Sequence, residues 1–591
     1  MADKDEQRGK HLTRVLDALR KRKEAGYDDM WSKLIRLYGL KYDYPNIAAQ
    51  YEDVVAPNMA FSTVNVVIPS VAVNYPKITV TASKPEDEMR APTVEAAANY
   101  MWRKYNAHEE FRLAITDKVI TGIGWLKTIW DYQEETRKMT EEEYALQVQQ
   151  ALIELQSGMQ NAMAMGVAPE EFPSEEDVIA SVPTETTVVT ADKPLIQRVS
   201  VYDIIVDPDA TRLNEARWIA HRMFIPIDVA KADKRFNSKV RKELVGQSMA
   251  QAKRDVETLG SSERRTEDPE WAVVYEYYDL IGKTVCTFSE SGGNGYLIDP
   301  APIPYAFGHP FQPVMGYNIP DQFYPVGDVE AMFGLQEELA MVRTQLTNDR
   351  KRFMRKILYK KDGFSATGLD SLQSPHDNEF VEVVSDAPFS ELVAPMPHEP
   401  MTPEAYNQSA MLMDDIDVVT GVTEYQRGSV AEIRRTATEA GLMQDGANAR
   451  AADSLAKVEK AIGEVAERTV ALCQQYLSTE QVAKIVGEDG VVTWVNYTAE
   501  DIAGEYDFVV EAGSTQPMNE TFRRQSAMQL MDAVAPLISM GVVNPMAIAD
   551  HVLRMGFGIK DTSQFIQAPP PPPPMEGEEP MGPPPPEGAM L

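Results

Sequence analysis

Residues 325–357 read PVGDVEAMFGLQEELAMVRTQLTNDRKRFMRKI, and the spacing of their apolar side chains predicts one long helix. A turn and an acidic N-cap candidate, Asp328, precede the helical pattern. The apolar positions recur at alternating intervals of three and four residues, which is the period of a helix face. They are Met332, Leu335, Leu339, Val342 and Leu346, with Phe353 and Ile357 extending the stripe. At 1.5 Å per residue, about thirty residues span roughly 45 Å, which is long for a helix of a globular protein.

The residues that follow predict a small insert and then two more helices. Glycines and prolines divide residues 359–400 into short apolar pieces, and FVEVV at 380–384 is the strongest strand candidate. Thr402 and Pro403 then provide a hydroxyl N-cap and a proline at the first helical position, and this second helix ends near Gly421. After a glycine-bearing loop, an alanine-rich helix begins at Arg434 and carries an apolar stripe in its later part. This order describes a helical hairpin that leaves a body, forms a small tip and returns.

Several segments in this order resemble the portal proteins of tailed bacteriophages. The first is DIDVVTGVTEY at 415–425, followed by RTATE at 435–439 and the alanine-rich helix. VYDIIVDP at 201–208 and YDFVV at 506–510 agree as well. No single motif is diagnostic, but their order is, and the resemblance covers most of residues 10–555.

The resemblance implies an α+β, multi-domain portal fold with a wing, long stem helices, a small β-containing clip, a tunnel loop and a helical C-terminal crown. The implied domains are a wing over 1–326 with a helical insertion at about 133–183, a stem helix over 327–358, a clip over 359–400, a second stem helix over 401–420, a tunnel loop over 421–433, a long helix that returns to the wing over 434–515, crown helices over 516–560 and a disordered proline-rich tail over 561–591.

The resemblance also implies a function. A portal forms a ring, of about twelve copies in this family, at one capsid vertex of the virion. It is the conduit for DNA packaging and ejection, and it docks the terminase motor and a tail or head-completion adaptor. Capsid and scaffolding protein are further expected partners, double-stranded DNA passes through without being read, and assembly takes place in the cytoplasm of the bacterial host. The alternatives are another structural virion component, such as a head-tail adaptor or baseplate protein, and an enzyme of the packaging machinery.

Two groups of residues are candidate functional sites. In portals the tunnel loop lines the narrowest part of the channel, and here it offers Glu424, Tyr425, Gln426, Arg427 and Arg434. The end of the first stem helix carries a basic cluster of Arg343, Arg350, Lys351, Arg352, Arg355 and Lys356. These cations are expected to pair with neighbouring subunits or partner proteins, or to contact DNA phosphates in passing. Leu339 is expected in the helix seam, where a charge would prevent ring assembly.

Composition limits the other functions. The 591 residues contain 57 basic and 90 acidic side chains, a net charge of −33. This balance either gives a DNA channel a repulsive wall or serves solubility alone. The two cysteines, Cys286 and Cys473, are expected to be buried thiols rather than a disulfide or a metal site. The absence of a long apolar run or an apolar N-terminal segment favours a cytosolic protein without a membrane span.

Enzymatic motifs are incomplete. Gly282-Lys283-Thr284 lacks the preceding glycine of a phosphate loop, because Tyr277 occupies that position, and its surroundings predict a hairpin. Asp207 and Asp209 flank a proline and predict a turn rather than a cation site. We therefore expect no catalytic residues, no cofactor and no metal.

The wing is predicted to mix helices and strands. Helical patterns cover residues 1–50 and 93–121, a strand follows at 122–130, and β-branched runs predict extended structure over 65–80. A hairpin is predicted over 271–288, with its turn at 281–283.

Overall fold

The structure is a computed structural model, and it falls into two compact units. The first unit comprises Met1–Gln481 and Tyr497–Gln516, and the second comprises Val482–Asn496 and Pro517–Leu591. Within the chain, the structure describes residues 2–72, 74–164, 178–179, 181–183, 185–248, 270–292, 295–354, 357–374, 379–395, 403–422, 437–477, 481–486, 492–511, 520–539 and 545–553.

Helices and strands are mixed along the chain. The described helices are α1 Ala2–Glu24, α2 Tyr27–Tyr38, α3 Pro45–Ala48, α4 Met59–Ala72, α5 Ala91–Lys104, α6 Ala107–Thr121, α7 Glu141–Ala164, α8 Ile227–Ala232, α9 Ser238–Lys242, α10 Asp328–Met354, α11 Ala366–Gln373, α12 Phe389–Leu392, α13 Pro403–Thr420, α14 Ala437–Tyr476, α15 Glu520–Ser539 and α16 Pro545–His551. The described strands are β1 Ile78–Ala82, β2 Ile123–Lys138, β3 Glu185–Val199, β4 Ile204–Val206, β5 Trp218–Pro226, β6 Trp271–Asp279, β7 Thr284–Ser289, β8 Ile298–Pro302, β9 Phe311–Met315, β10 Ile357–Tyr359, β11 Val393–Pro395, β12 Gln481–Val486, β13 Val492–Tyr497 and β14 Tyr506–Val510.

An antiparallel meander of β4, β5, β6, β7 and β8 forms the largest sheet. The hairpin predicted over 271–288 is confirmed, since β6 and β7 pair on either side of its turn. Aromatic side chains fill the core on this sheet, among them Trp31, Trp125, Tyr278 and Phe311. The core also contains the Arg22 guanidinium, which pairs with Asp28 and donates to backbone carbonyls. A buried charge needs such partners.

A three-stranded sheet has the order β3-β2-β9. Only residues 123–127 of β2 pair with β9, whereas β2 pairs with β3 all the way to Lys138. The outer parts of β2 and β3 therefore form a two-stranded ribbon, and α7 follows the end of β2. This corrects the predicted helical insertion over 133–183: residues 133–138 are strand, because their pairing with β3 overrides the helix-favouring Gln, Glu and Lys side chains.

The chain returns to the body late in the sequence. Strand β14 pairs with β1, which lies more than 400 residues earlier, and α14 packs against β14, β9 and β2. The helices predicted within 1–50 and 93–121 and the strand at 122–130 are all confirmed.

The prediction of extended structure over residues 65–80 was wrong for the first half of this range. Residues 59–72 form α4 despite Pro69, and only residues 78–80 of this range belong to a strand. Val64, Ile68 and Val71 are buried and recur at intervals of four and three residues. Burial of this helix face outweighs the β-propensity of the valines.

The insert after α10 also differs from the prediction. The helix ends at Met354, and Ile357 belongs to β10, which pairs with β11. Residues 380–384 form no strand, although Val383 makes an isolated bridge to Phe364. Two short helices, α11 and α12, were not predicted, and their few residues carry too little periodicity to be recognised.

The second unit contains a hairpin of β12 and β13 and the helices α15 and α16. These helices lie within residues 516–560, where the resemblance implies crown helices.

Candidate functional site

The start of α10 is fixed by direct contact between backbones. Gly122 ends α6 with a φ of +89°, and its carbonyl accepts a hydrogen bond of 2.7 Å from the Gly316 amide. A Cβ at Gly122 would collide with the carbonyl of Pro325, and one at Gly327 would lie 2.7 Å from the Gly122 nitrogen. Only glycine allows this approach, so three segments of the body hold the helix where it begins.

A buried lysine joins the same junction to α14. The Lys118 ammonium is almost fully buried and donates to the Ser454 hydroxyl over 2.7 Å. Burial lowers the pKa of Lys118, while Asp328 acts in the opposite direction. The Tyr317 hydroxyl donates to the Asp328 carboxylate over 2.8 Å. The first residues of α10 and the middle of α14 are thereby connected through one cation.

Polar side chains on one face of α10 hold the strap, which we define as residues 53–59. Gln336 is fully buried, accepts from the Met59 amide over 2.9 Å and donates to the Pro57 carbonyl over 2.8 Å. Two turns later, Thr344 accepts from the Val55 amide over 2.9 Å. The strap therefore runs along α10 and satisfies its own backbone groups on that helix.

Helix α13 packs beside α10. Its buried residues, Ser409, Leu412 and Ile416, are three and four positions apart and form one face. Gln408 donates to Glu338 of α10 over 3.3 Å. Helix α13 contains four carboxylates and no basic side chain. The two helices thus form a packed pair with a strongly acidic second member.

The opposite side of α13 is exposed, and it carries apolar side chains together with the exposed carboxylates Asp414 and Asp415. Met411 and Val418 are seven residues apart, and 63% and 67% of their surfaces are exposed. Tyr406 and Val419 are exposed as well. Leu339, by contrast, is fully buried inside the chain, so a charge at that position tests folding rather than contact between copies.

The basic cluster is not uniform. Lys351 pairs with Asp53 at the start of the strap, Arg343 is half-buried, and Arg350 is exposed. Arg352 belongs to α10, but its side chain lies outside the described residues, as do Arg355 and Lys356. The predicted tunnel-loop residues Glu424, Tyr425, Gln426, Arg427 and Arg434 also lie outside the described residues.

The tip between the two helices has a minimal core. Leu392 and Phe364 are buried in it, and β10 pairs with β11. Ser365 caps α11, accepting from the Gly368 amide over 3.0 Å, and it also donates to Glu382 over 2.6 Å. Phe380 and Phe389 are exposed. The tip therefore presents a larger apolar surface than its own core can cover.

The enzymatic candidates have structural roles. Lys283 lies in the hairpin turn with a φ of +50°, and the Gly282 amide donates to Asp279 over 2.9 Å. No helix follows this turn, so it does not have the geometry of a phosphate loop.

Asp207 and Asp209 both pair with Arg217, at 2.5 Å each, as expected for a turn. Arg217 lowers the pKa of Asp207 against the effect of its burial. Cys286 and Cys473 are both buried thiols. Across the described residues, no cluster of histidine, cysteine or acidic side chains is suited to bind a metal ion.

The fold is a mixed α+β fold of many elements, and its described helices include none with both the length and the apolar composition needed to cross a bilayer. The family described as phage SU10 portal protein matches residues 74–589. The chain therefore belongs to this family of tailed-phage portal proteins, which are structural proteins of the virion. No protein with a curated description matches the chain.

Sequence reasoning missed the strap and the buried Lys118. Gln336, Thr344 and Asn348 interrupt the apolar pattern of α10 at intervals of eight and four residues, which places them on one helix face. That spacing indicates a polar face on α10 that another segment of the chain could contact. The partner segment, almost 300 residues earlier, had no comparable signal, because backbone amides of any sequence can donate such bonds.

Proposed function

We propose that this portal protein forms a closed ring of about twelve copies at one capsid vertex and serves as the conduit for double-stranded DNA. DNA enters through it during packaging and leaves through it during ejection. The observation that carries the proposal is the α10–α13 pair, which stands beside a small tip and turns an apolar, acidic face outward from its own chain. A heterologous contact on such a face closes into a ring when the rotation between copies permits it.

The parts of the ring have different tasks in this proposal. The pair α10 and α13 forms the stem, residues 359–395 form the clip that docks the terminase motor and later the tail adaptor, and α15 and α16 form the crown. The body formed by residues 1–326 is the wing, which contacts the capsid and scaffolding protein. The carboxylates of α13 that the contact between copies leaves exposed support a channel wall that repels DNA phosphates and lets the duplex slide.

Glu424, Tyr425, Gln426, Arg427 and Arg434 belong, in this proposal, to a tunnel loop that touches DNA without reading bases. The pairing of Lys351 with Asp53 supports a role in contacts within the protein for part of the basic cluster. Arg350 is exposed and stays available to a neighbouring copy or a partner.

Negative-stain electron microscopy of the purified full chain tests the ring. We expect closed rings with an axial hole. Monomers or open fibres at micromolar concentration would contradict the proposal. An ATPase assay is the control for an enzymatic role: the proposal expects no turnover, and turnover abolished by Lys283→Ala would overturn the non-enzymatic function.

A further inference from the structure

Two short helices, α8 and α9, follow β5 and pack together on the large sheet. The Asn237 side chain caps α9 by accepting from the Lys239 amide over 3.1 Å, and the Asn237 amide donates to the Leu297 carbonyl over 2.8 Å. The Arg241 guanidinium donates to the Asp233 carbonyl over 2.5 Å and so closes the turn between the two helices. The apolar residues of this unit are buried: Ala230, Phe236, Val240 and Leu244. The other side chains of α8 and α9 are therefore displayed outward from a fixed support.

These outward side chains are strongly basic. We define the basic surface as residues 231–242, which read KADKRFNSKVRK and contain six cations and one carboxylate. Arg235 pairs with that carboxylate, Asp233, over 2.7 Å, and Arg241 is used in the turn between the helices. The other four cations are exposed and, within the described part of the chain, have no carboxylate partner: Lys231, Lys234, Lys239 and Lys242. Because neighbouring like charges repel one another, these lysines do not stabilise the fold and are available to an anion.

Double-stranded DNA is a poor fit to the basic surface. Its phosphates carry one charge about every 1.7 Å of helix axis and continue beyond the four lysines. The exposed carboxylates of Asp228 and Glu243 flank the basic surface in sequence and would repel those phosphates. Helices α8 and α9 have six and five residues, too few to read a groove. The only aromatic side chain of residues 227–245, Phe236, is buried, so unpaired bases have no ring on which to stack.

The surroundings of the lysines favour a protein as the partner. Val229 and Val245 lie just before and just after the basic surface, and 54% and 57% of their surfaces are exposed. A polypeptide has apolar side chains that can cover these valines, whereas a phosphate backbone has none. An acidic segment can also place its carboxylates on the lysines and bend away from Asp228 and Glu243. Such complementary charges give an interface its specificity and its rate of association.

We propose that the basic surface docks an acidic segment of a partner protein, whose carboxylates pair with the lysines and whose apolar side chains cover Val229 and Val245. The inference deepens the contact of the wing with other proteins, and it rests on the proposed function only in that the wing meets such proteins. A single copy is sufficient for this docking, so its test does not depend on the ring.

Fluorescence anisotropy with a labelled peptide tests the docking. The probe is a peptide of Glu-Glu-Leu repeats at low ionic strength. The wild type should bind it, and added salt should weaken the binding. Lys231→Gln/Lys234→Gln/Lys239→Gln/Lys242→Gln should weaken the binding about tenfold or more. Binding of the peptide by this variant at the wild-type strength, or no binding by the wild type, would overturn the inference.

A matched control removes four lysines that already have partners. Lys4, Lys10, Lys77 and Lys84 are exposed, and each pairs with a carboxylate of its own chain. Lys4→Gln/Lys10→Gln/Lys77→Gln/Lys84→Gln changes the net charge by the same amount as the first variant and should bind the peptide like the wild type. Equal weakening in the two variants would show that total charge decides the binding and would overturn the inference.

A change of the valines tests the apolar part of the contact. Val229→Ser/Val245→Ser should weaken binding of the Glu-Glu-Leu peptide about threefold or more, because less apolar surface is buried. Binding of a Glu-Glu-Ser peptide should be the same in this variant and in the wild type. If the two peptides are weakened equally, the valines do not contact the partner and the proposed apolar contact is wrong.

Two further measurements exclude the other occupants of the basic surface. A short DNA duplex should bind the wild type more weakly than the peptide does, and tighter duplex binding that the four-lysine variant loses would overturn the inference in favour of DNA. The same variant should form rings like the wild type in electron microscopy, and a loss of rings would show that copies of the chain meet at this surface instead. Absence of rings in the wild type overturns the proposed function, whereas the peptide result still decides the docking.

Discussion

Gly122 combines a left-handed backbone conformation with a close approach to another chain segment. Replacement by alanine should strain the backbone and drive a Cβ into the Pro325 carbonyl. We expect Gly122→Ala to destabilise the protein by more than about 3 kcal/mol and to lower its thermal unfolding midpoint.

A substitution at Gly26 separates the cost of the backbone strain from the cost of the collision. Gly26 has a similar φ of +84°, but no atom lies within 4 Å of an added Cβ. Gly26→Ala should therefore cost only about 1–2 kcal/mol, the strain of the conformation alone. Equal midpoints for the two variants would show that the contact with Pro325 does not hold the start of α10.

His309 gives the stability a predictable pH dependence. Burial and the nearby Arg468 guanidinium lower the pKa of His309 to about 4, and its Nδ1 accepts a hydrogen bond from the Phe311 amide. The unfolded chain takes up this proton near its ordinary pKa of about 6.5. The contribution of His309 to stability is therefore complete above about pH 6.5 and is lost as the pH falls toward 4.

His309→Phe should remove this part of the pH dependence. Between pH 7 and 4.5, the wild type should lose about 2 kcal/mol more than the variant, in chemical denaturation at both pH values. The lowered pKa values of His11 and His221 act in the same direction in both proteins and cancel in the difference. Equal losses of stability in the wild type and the variant would contradict the assignment of this pH dependence to His309.

At the scale of an element, α10 serves as a support for the strap. Gln336→Leu keeps the volume but leaves the Met59 amide, the Pro57 carbonyl and the Tyr44 hydroxyl without their partner. We expect a loss of about 2–4 kcal/mol, because buried polar groups without hydrogen bonds are costly. Limited proteolysis should also become faster at residues 51–58.

Gln345→Leu is the matched control on the same helix. Gln345 is only half-buried, so this change should leave both the unfolding midpoint and the cleavage rate near those of the wild type. Cleavage at the wild-type rate in Gln336→Leu would show that the strap is held by other contacts.

The elements with strong periodicity could be predicted from sequence, and those set by distant partners could not. The stripe from Met332 to Leu346 predicted α10 because it depends on local spacing. Residues 133–138 were misassigned, because only their pairing with β3, some fifty residues later, makes them a strand. Residues 65–72 were misassigned for the related reason that tertiary burial decided between helix and strand.

In the candidate site, too, features that depend on local sequence could be predicted and features that depend on distant residues could not. Sequence order predicted the two helices and the tip, since these are successive elements. It could not predict that Lys351 would pair with Asp53 or that Lys118 would meet Ser454, because these contacts join residues some 300 positions apart. Such contacts depend on how the elements pack, and their residue types carry no local signal.

At the scale of the whole molecule, residues 2–72 are part of the fold that positions α10. The family match begins at residue 74, yet α1 packs on the large sheet, the strap lies along α10, and α4 packs against α6 and α10. The regions before and within the family match thus share one core. The chain builds part of the support for α10 from N-terminal residues that this match does not include.

The exposed face of α13 is where the ring can be tested without disturbing the fold. Met411→Asp/Val418→Asp should lower the free energy of unfolding of the chain by no more than about 1 kcal/mol, because both side chains are mostly exposed and the cost is limited to repulsion from neighbouring carboxylates. It should abolish rings in electron microscopy, because carboxylates would be desolvated against an acidic neighbour. Met89→Asp/Val229→Asp adds the same charge at exposed positions of the body, and 93% of Met89 is exposed, so this control should still form rings. If the α13 variant also forms rings at wild-type concentrations, the copies do not meet at this face, and the stem contact must be sought on α10 instead.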